Sequence, residues 1–271
     1  PPRSTLFPYT TLFRSDQLAR SLGVWPDEVC MVGDEFLADV MGATRAGWPA
    51  LWLNPAGRAA PALLPVQRAE LSSLADLPEC LAHPFLPGLE QCRSWLQEQG
   101  SLAVMQHVEV VAALAYWLAV ELRHSGECIN PLLAQRGGLL HDLCKLRGKD
   151  EPGAPDHGQR AAEWLRSQGE PRLAEIADRH MLFGIEQPGR APHSWEEKLV
   201  YFCDKLVEGN QVVELEERLE ALRLRYALDA EQLGRVQALL CALRSQLCQR
   251  LGFPTAELSA RLRKAIFSAQ Q

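Results

Sequence analysis

The chain contains 271 residues, of which 47% are hydrophobic and 23% are charged, a composition typical of a globular protein with one large or two ordinary domains. Its formal net charge of −6 argues against a nucleic-acid polymer as partner, because binding a phosphate backbone requires clustered Lys and Arg, but it is compatible with a small phosphorylated ligand. No apolar run approaches the roughly 20 residues needed to span a bilayer, and the N-terminus lacks a signal-peptide pattern, so we expect a cytoplasmic protein without a membrane partner.

The first fifteen residues, PPRSTLFPYTTLFRS, fit neither the pattern nor the composition of the rest of the chain. They resemble translated sequencing-adapter read-through, which occurs at the broken ends of assembled metagenomic genes. We therefore interpret residues 1–15 as a non-native segment and assign them no function. The alternative is an ordinary disordered N-terminus.

Residues 16–82 show an α/β pattern, and residues 83–88, rich in Pro, are interpreted as a linker. Asp34 directly follows the first predicted strand, at the carboxyl end, where open α/β sheets place their ligands. The elements predicted from hydrophobic periodicity are a helix over Asp16–Leu22, a strand over Val29–Val32, a helix over Glu35–Ala46, a strand over Ala50–Leu53 and a short helix near Leu71–Leu81.

The segment Val32–Val40, VGDEFLADV, followed by Gly42-Ala43 and Ala46-Gly47-Trp48, resembles the last catalytic motif of haloacid dehalogenase-like hydrolases. This resemblance implies a Rossmannoid fold in which Asp34 and Asp39 help to hold Mg²⁺, a hard cation that prefers oxygen ligands. The family's Asp-x-Asp nucleophile lies on an earlier strand and has no counterpart here. Since a phosphoaspartate mechanism then has no covalent step, we expect a truncated fragment with a vestigial Mg²⁺ site and disfavour a phosphatase of this type. The alternative role for Asp34 is to cap the following helix.

From residue 89 to the end, the apolar spacing is helical, which predicts an all-α bundle and, for the whole chain, a mainly α fold. We assign residues 89–226 to the functional domain and residues 227–271 to a C-terminal extension, whose helices either pack on the bundle or form the seam of a homodimer. The predicted helices are Gln91–Gln99, Leu102–His124, Pro131–Leu146, His157–Gln168, Pro171–His180, Trp195–Glu208, Val212–Tyr226, Ala230–Leu251 and Thr255–Ala269.

A His141-Asp142 pair ends the apolar run GGLL, and Lys145 follows three residues later. One such dipeptide is weak evidence, because short motifs often occur by chance. Four further residues that can bind metals lie on other predicted helices, at spacings that suit stepping from one bundle helix to the next. These residues are His107, His157, His180 and Asp204.

Burial gives two of these candidates individual support. His107 begins the apolar stripe of its predicted helix and should point inward, where the alternative role is that of a hydrogen-bonded core histidine. Asp204 lies between Val200 and Val207 on an apolar helix face, and a buried carboxylate needs a metal or a counter-cation. Lys205, its neighbour in the chain, is expected to point elsewhere.

Four His and two Asp side chains together suit two borderline divalent ions such as Fe, Mn, Co or Zn. The remaining histidines, His83, His124 and His193, are expected at the surface. The eight cysteines are scattered without a C-x-x-C spacing, which predicts reduced thiols and no disulfides. Cys144 and Cys203 adjoin ligand positions, but cysteine is commonly a small buried hydrophobe, and we do not count them as ligands.

The order of these ligands resembles that of the HD-domain metal-dependent phosphohydrolases, whose motif is His, then His-Asp, then Asp. The two additional histidines match the members with binuclear centres. The bacterial members that cleave diadenosine tetraphosphate symmetrically are similar, since they also show Leu-Leu-His-Asp followed by Lys. The resemblance covers about residues 104–226.

The resemblance implies metal-assisted hydrolysis of a phosphoester or phosphoanhydride bond in a small nucleotide-type substrate, which in the symmetrically cleaving bacterial members is a dinucleoside polyphosphate. Fe or Mn is the favoured metal, and Co or Zn is the alternative. By the same resemblance, one ion is held by His107, His141, Asp142 and Asp204. His157 and His180 complete the site of the second ion, with Asp142 as the bridge.

Three basic residues are candidates for binding a substrate phosphate, namely Lys145, Arg160 and Arg218. Lys145 is the strongest because it lies one helical turn beyond Asp142, and with His141 and Asp142 it makes up the expected catalytic set. Its alternative role is that of a solvated residue at a helix end. The alternative to an enzymatic function is that of a non-catalytic helical module that binds a nucleotide or a partner protein.

Overall fold

A computed structural model describes residues 21–268 except for residues 22, 26–27, 63 and 147–153. Residues 1–15 and nearly all of the predicted helix Asp16–Leu22 therefore lie outside the described residues. The chain divides into two compact units, residues 1–61 with 65–88 and residues 62–64 with 89–271. The first contains a small parallel sheet and the second is helical, which confirms the predicted fold class.

The N-terminal unit contains a three-stranded parallel sheet in the order β1 (Met31–Gly33), β2 (Ala50–Leu53) and β3 (Ala69–Leu71). Strand β2 lies in the middle and is the most buried, as its continuous apolar sequence predicts. Strand β3 was not predicted. With three residues, the strand is too short to show a hydrophobic period in the sequence. Its last residue, Leu71, is where a helix was predicted to begin. That helix starts later, with a 3₁₀ turn over Leu74–Asp76 and α2 over Leu77–Leu81.

The connection from β1 to β2 is helical, but in two pieces. A π-helical turn over Phe36–Val40 leads into α1, Met41–Arg45, where the sequence predicted one helix over Glu35–Ala46. Gly47 follows with φ of 77°, a left-handed conformation that commonly ends a helix.

The C-terminal unit is built around helix α4, which packs against α5 and α8, while α6 and α7 pack against each other. Its helices are α3 (Leu89–Glu98), α4 (Met105–His124, after a 3₁₀ turn over Leu102–Val104), α5 (Pro131–Leu140), α6 (His157–Ser167), α7 (Pro171–Asp178), α8 (Trp195–Asp204), α9 (Leu215–Tyr226), α10 (Ala230–Leu251) and α11 (Leu258–Ser268). Two further 3₁₀ turns span Leu182–Glu186 and Thr255–Glu257.

Helix α4 is the core of this unit. By length and composition the stretch Leu102–His124 would be able to cross a membrane, with a mean hydropathy of 1.5, although the sequence analysis identified no such run. However, 67% of this window is buried inside the protein, and the leucines Leu114, Leu118 and Leu122 are fully buried. The helix therefore packs as the core helix of a folded domain.

Helix α5 approaches α4 closely because it carries a glycine, Gly138, at the contact. A Cβ atom on Gly138 would lie 2.6 Å from the Cα atom of Ala112 on α4. The helix begins at Pro131, with the Asn130 side chain accepting hydrogen bonds from the first-turn amides, as a good N-cap does. It ends at Leu140, six residues earlier than predicted, and residues 141–146 form turns. The His-Asp pair therefore lies just beyond a helix end.

A short β-hairpin replaces the predicted end of one helix and the start of the next. Helix α8 ends at Asp204 instead of Glu208, and strands β4 (Val207–Glu208) and β5 (Gln211–Val212) pair in an antiparallel arrangement. The connecting residues are Gly209 and Asn210, and Gly209 has φ of 61°, which suits a two-residue hairpin turn. This hairpin is a local departure from the all-α bundle predicted for this part of the chain.

The C-terminal helices pack on the bundle. Helix α10 has the predicted bounds and contacts α8 and α9, while α11 contacts α4. Asp229 caps the first turn of α10, and Gly252 ends it with φ of 73°. One of the two predicted roles of the extension is therefore observed, and a homodimer seam stays a prediction.

Candidate metal centre

Six side chains that can bind metals converge inside the helical unit. They are contributed by helix α4, the turns after α5, the start of α6, the turn after α7 and the end of α8. All six belong to the set expected from the sequence: His107, His141, Asp142, His157, His180 and Asp204.

The first group of ligand atoms comes from His107, His141 and Asp204, all buried. The Nε2 atom of His107 lies 3.0 Å from Asp204 Oδ1, and the Nε2 atom of His141 lies 3.6 Å from the same oxygen. One ligand atom from each residue falls within 4.8 Å of the others. Three donors at this separation can surround a single ion.

The second group comes from Asp142, His157 and His180. Asp142 Oδ1 lies 3.3 Å from the Nε2 atom of His157 and 3.3 Å from that of His180. The two Nε2 atoms are 3.1 Å apart. These three donors can surround a second ion.

Asp142 lies between the two groups. Its Oδ1 atom faces His157 and His180, whereas its Oδ2 atom lies 3.9 Å from His107 Nε2 and 3.6 Å from His141 Nε2. One carboxylate therefore presents one oxygen to each group, which is the arrangement that a carboxylate bridging two ions requires.

In the described part of the chain, backbone carbonyls orient the imidazole rings of His107, His141 and His180. Because a carbonyl oxygen only accepts, each of these rings carries a proton on Nδ1 and directs an unprotonated Nε2 toward the centre when neutral. The Nδ1 donors and their acceptors are His107 to Gly209 at 3.1 Å, His141 to Gly138 at 2.8 Å and His180 to Ala177 at 2.6 Å.

The Nε2 atom of His141 fits a metal ligand. It is buried, and the described part of the chain offers it no hydrogen-bond partner. A buried polar atom without a partner costs roughly 1–3 kcal/mol, and a divalent cation would supply the missing interaction. Four imidazoles with two carboxylates form a donor set that suits borderline divalent ions.

Positive charges beside the carboxylates favour their ionised forms. Burial alone would raise the pKa of Asp142, but the charges of His141 and Lys145 outweigh it and hold this pKa well below its usual range. Burial also lowers the pKa of His180 to about 4, so this ring is neutral at physiological pH. The centre thus presents ionised carboxylates beside a neutral imidazole, the protonation states that metal binding needs.

Lys205 contradicts the expectation that it points elsewhere. Its ammonium group contacts Asp204 Oδ2 and donates to the carbonyl of His180 at 2.7 Å, and the side chain is buried. Helix α8 ends at Asp204, so the Lys205 side chain does not follow the helical spiral and turns inward. Burial would raise the pKa of Asp204, but Lys205 and the histidines keep it well below its usual range.

Of the three predicted phosphate-binding residues, Lys145 lies closest to the ligands. Its Nζ atom donates to Asp142 Oδ2 at 2.6 Å, and 31% of its side chain is exposed. Arg218 is buried on α9 and pairs with Glu208 in the hairpin. Arg160 is half-buried on α6 and donates to the carbonyl of Pro155 at 2.5 Å.

The remaining histidines and the cysteines lie outside the centre's ligand groups. His83, His124 and His193 are exposed, as predicted. All eight cysteines are free thiols. Cys144 and Cys203 are buried, and burial raises the pKa of Cys203 well above its ordinary value, so that it remains a neutral thiol.

In the N-terminal unit, Asp34 is exposed just after β1, and its backbone carbonyl accepts a hydrogen bond from the Trp52 indole at 3.1 Å. The Asp39 carboxylate accepts a hydrogen bond from the backbone amide of Glu35 at 3.0 Å, at the start of the helical turn for which Asp34 was the alternative cap. Among the described residues, no third ligand side chain joins these two aspartates to form a metal-binding group. A vestigial Mg²⁺ site there stays a prediction.

Comparison with known proteins finds two families in the chain. Residues 104–209 match the HD domain, a span that contains all six ligands. Residues 9–75 match the HAD-hydrolase-like family, a span that begins inside the segment interpreted as non-native. An uncharacterized protein of Methanocaldococcus jannaschii is 30% identical over 158 residues, which cover 54% of this chain and 91% of that protein. No solved structure matches the chain.

Proposed function

Because the chain belongs to the HD-domain family of metal-dependent phosphohydrolases, we propose that it hydrolyses a phosphoester or phosphoanhydride bond of a small nucleotide-type substrate. The observation that carries this proposal is the pair of ligand groups that meet at Asp142. We favour Fe or Mn as the metal, with Co or Zn as the alternative, because these ions accept imidazole and carboxylate together. A dinucleoside polyphosphate is the favoured substrate by family resemblance alone.

Divalent ions bound in such a centre supply a water of lowered pKa and polarise a phosphoryl oxygen. His107, His141 and Asp204 would hold one ion, His157 and His180 the other, with Asp142 shared between them. Five of these six side chains are buried, and electrostatic interactions are stronger in such low-dielectric surroundings than in water.

Lys145 has the charge and position to hold a substrate phosphate. Burial would lower its pKa, but Asp142 and Asp204 outweigh it and raise this pKa, so the side chain is an ammonium group at neutral pH. Its partial exposure leaves room for a ligand beside Asp142. An ammonium group binds phosphate as a point charge and would orient it over the centre.

The test is metal analysis of anaerobically purified protein, with hydrolysis assayed on bis-p-nitrophenyl phosphate and on dinucleoside polyphosphates. We expect about two equivalents of Fe or Mn, with metal and activity lost together in H141A and D142A. The matched control is H124A, which removes an exposed imidazole and should keep both. A folded wild type that takes up no metal and hydrolyses neither substrate would refute the enzyme and favour the non-catalytic binding module.

A further inference from the structure

Glu208 bridges two arginines on helix α9. One oxygen of its carboxylate contacts Nη1 of Arg218, and the other contacts Nη2 of Arg225. Arginine side chains bind carboxylates and phosphates through the same donor geometry. A phosphate group could therefore occupy the position that the Glu208 carboxylate takes between these guanidinium groups.

One arginine of this pair is buried and the other is exposed. Only 6% of the Arg218 side chain is exposed, and a buried charge needs an anionic partner. Its Nε atom is also buried and has no hydrogen-bond partner in the described part of the chain. Glu208 and Arg225 are 34% and 47% exposed, so an anion from solvent can reach the site.

The site lies beside the metal centre. The residue after Glu208 is Gly209, whose carbonyl accepts the Nδ1 proton of His107 at 3.1 Å. Burial lowers the pKa of Arg218, and the negative charges of Asp204 and Asp142, two of the centre's ligands, oppose this shift. A molecule with one phosphoryl group at the metal centre can therefore place another phosphate between the arginines.

We propose that Arg218 and Arg225 bind a second phosphate group of the substrate, and that Glu208 occupies this site until that phosphate displaces it. The inference rests on the proposed function, because it names where a further phosphate of the same substrate binds. A phosphate group of a polyphosphate chain carries at least the charge of a carboxylate and has more acceptor oxygens, so it can replace Glu208 on both arginines. The substrate class is accordingly a compound with two or more linked phosphates.

The experiment measures binding of methylenediphosphonate, which lacks a hydrolysable P–O–P bond, to the full-length protein with its metals by isothermal titration calorimetry. E208Q keeps an acceptor for Arg218 but removes the competing charge, so we expect about fivefold tighter binding. R225Q removes an exposed guanidinium group and should weaken binding at least about fivefold. The matched control is E216Q. Glu216 lies on α9 with the two arginines but pairs with Arg244 of α10, so its replacement should leave the affinity for the probe unchanged.

Unchanged affinity in E208Q, or a gain that survives in the E208Q/R225Q double variant, would overturn the inference. If E208Q does not fold, R225Q decides alone, and wild-type affinity in that variant overturns the inference. A wild type without hydrolase activity whose E208Q variant still binds the probe more tightly would refute the proposed function and leave the anion site standing.

Discussion

Lys205 joins ligands that belong to different groups of the centre. Its buried ammonium group neutralises one oxygen of Asp204, leaving Oδ1 to face His107 and His141, and it also holds the backbone at His180. We infer that Lys205 positions the ligands without binding the substrate. The positive charge of Lys205 therefore stabilises the arrangement of the ligands in the metal-free protein.

Replacing Lys205 by Met should therefore destabilise the metal-free protein by about 3 kcal/mol, because it leaves the Asp204 carboxylate buried without its counter-cation. Mn²⁺ should restore part of this loss, since the ion supplies positive charge to the same carboxylate. The measurement is urea unfolding with and without metal. The control is K264M on α11, which removes an exposed ammonium group and should cost little. An equal loss in both conditions would show that Lys205 does not act through Asp204.

The six ligands could be predicted from the sequence because their order is typical of one family and because two of them, His107 and Asp204, lie on apolar helix faces. The inward turn of Lys205 could not be predicted. In a helix continuing to Glu208, Lys205 would point about 100° away from Asp204. The side chain reaches the carboxylate only because α8 ends at Asp204, and helix ends are poorly defined by periodicity.

At the scale of elements, the close approach of α4 and α5 positions His141. Gly138 supplies both the space for this approach and the carbonyl that accepts the His141 Nδ1 proton. The sequence motif GGLLHD therefore combines a packing requirement with a ligand. Periodicity predicted helix α5 but not the function of its glycines, because a close approach depends on which helix lies opposite.

G138A should destabilise the protein by about 1–3 kcal/mol, because the added Cβ would lie 2.6 Å from backbone atoms of Ala112, which cannot easily move. Metal affinity should also fall, since the His141 ring would shift with α5. The matched control is G234A, an exposed position on α10 with nothing within 4 Å of the added Cβ, where alanine should stabilise the helix by about 0.4–1 kcal/mol. Thermal unfolding and metal titration measure both effects. Similar melting temperatures for the two variants would contradict the packing argument.

Helices α6 and α7 are joined by Glu175, which pairs with Arg166 at 2.8 Å and with Arg179 at 2.9 Å. The hydrogen bond from Arg166, followed by that from Arg179, lowers the pKa of Glu175 below its ordinary value of about 4.5. Because the folded-state pKa is the lower one, this pairing stabilises the protein fully above pH 4.5, and the stabilisation is lost as pH falls through the folded-state pKa.

E175Q should therefore cost less than about 1 kcal/mol at pH 7, since the group is partly exposed, and the difference from wild type should vanish in acid. Urea unfolding at a series of pH values measures it. R166Q should reproduce part of the same pH dependence. A cost that persists unchanged below pH 3 would show that the carboxylate charge is not responsible.

At the scale of the whole molecule, all six ligands lie in the helical unit, and the haloacid dehalogenase-like unit contributes none. This division could be predicted from the change between strand and helix patterns, and both families match where their motifs lie. Strand β3 and the β4–β5 hairpin could not be predicted. These strands have two or three residues each, so their formation depends on a pairing partner more than on their own pattern.

Deletion of residues 1–88 should leave the helical unit folded and able to bind metal, because its core helix and ligand residues are all retained. Circular dichroism and metal analysis of residues 89–271 measure this, with the full chain as reference. A shortened chain that remains helical but takes up no metal would show that the centre depends on the N-terminal unit.

The bridging position of Asp142 has a consequence for how the centre fills. An ion held by one group would fix the carboxylate and orient its other oxygen for a second ion, so we expect the two binding events to be coupled favourably. A population supplied with too little metal should then separate into empty and doubly loaded molecules, with few singly loaded ones. Native mass spectrometry during a metal titration would resolve these species, and a statistical distribution would show that the two sites fill independently.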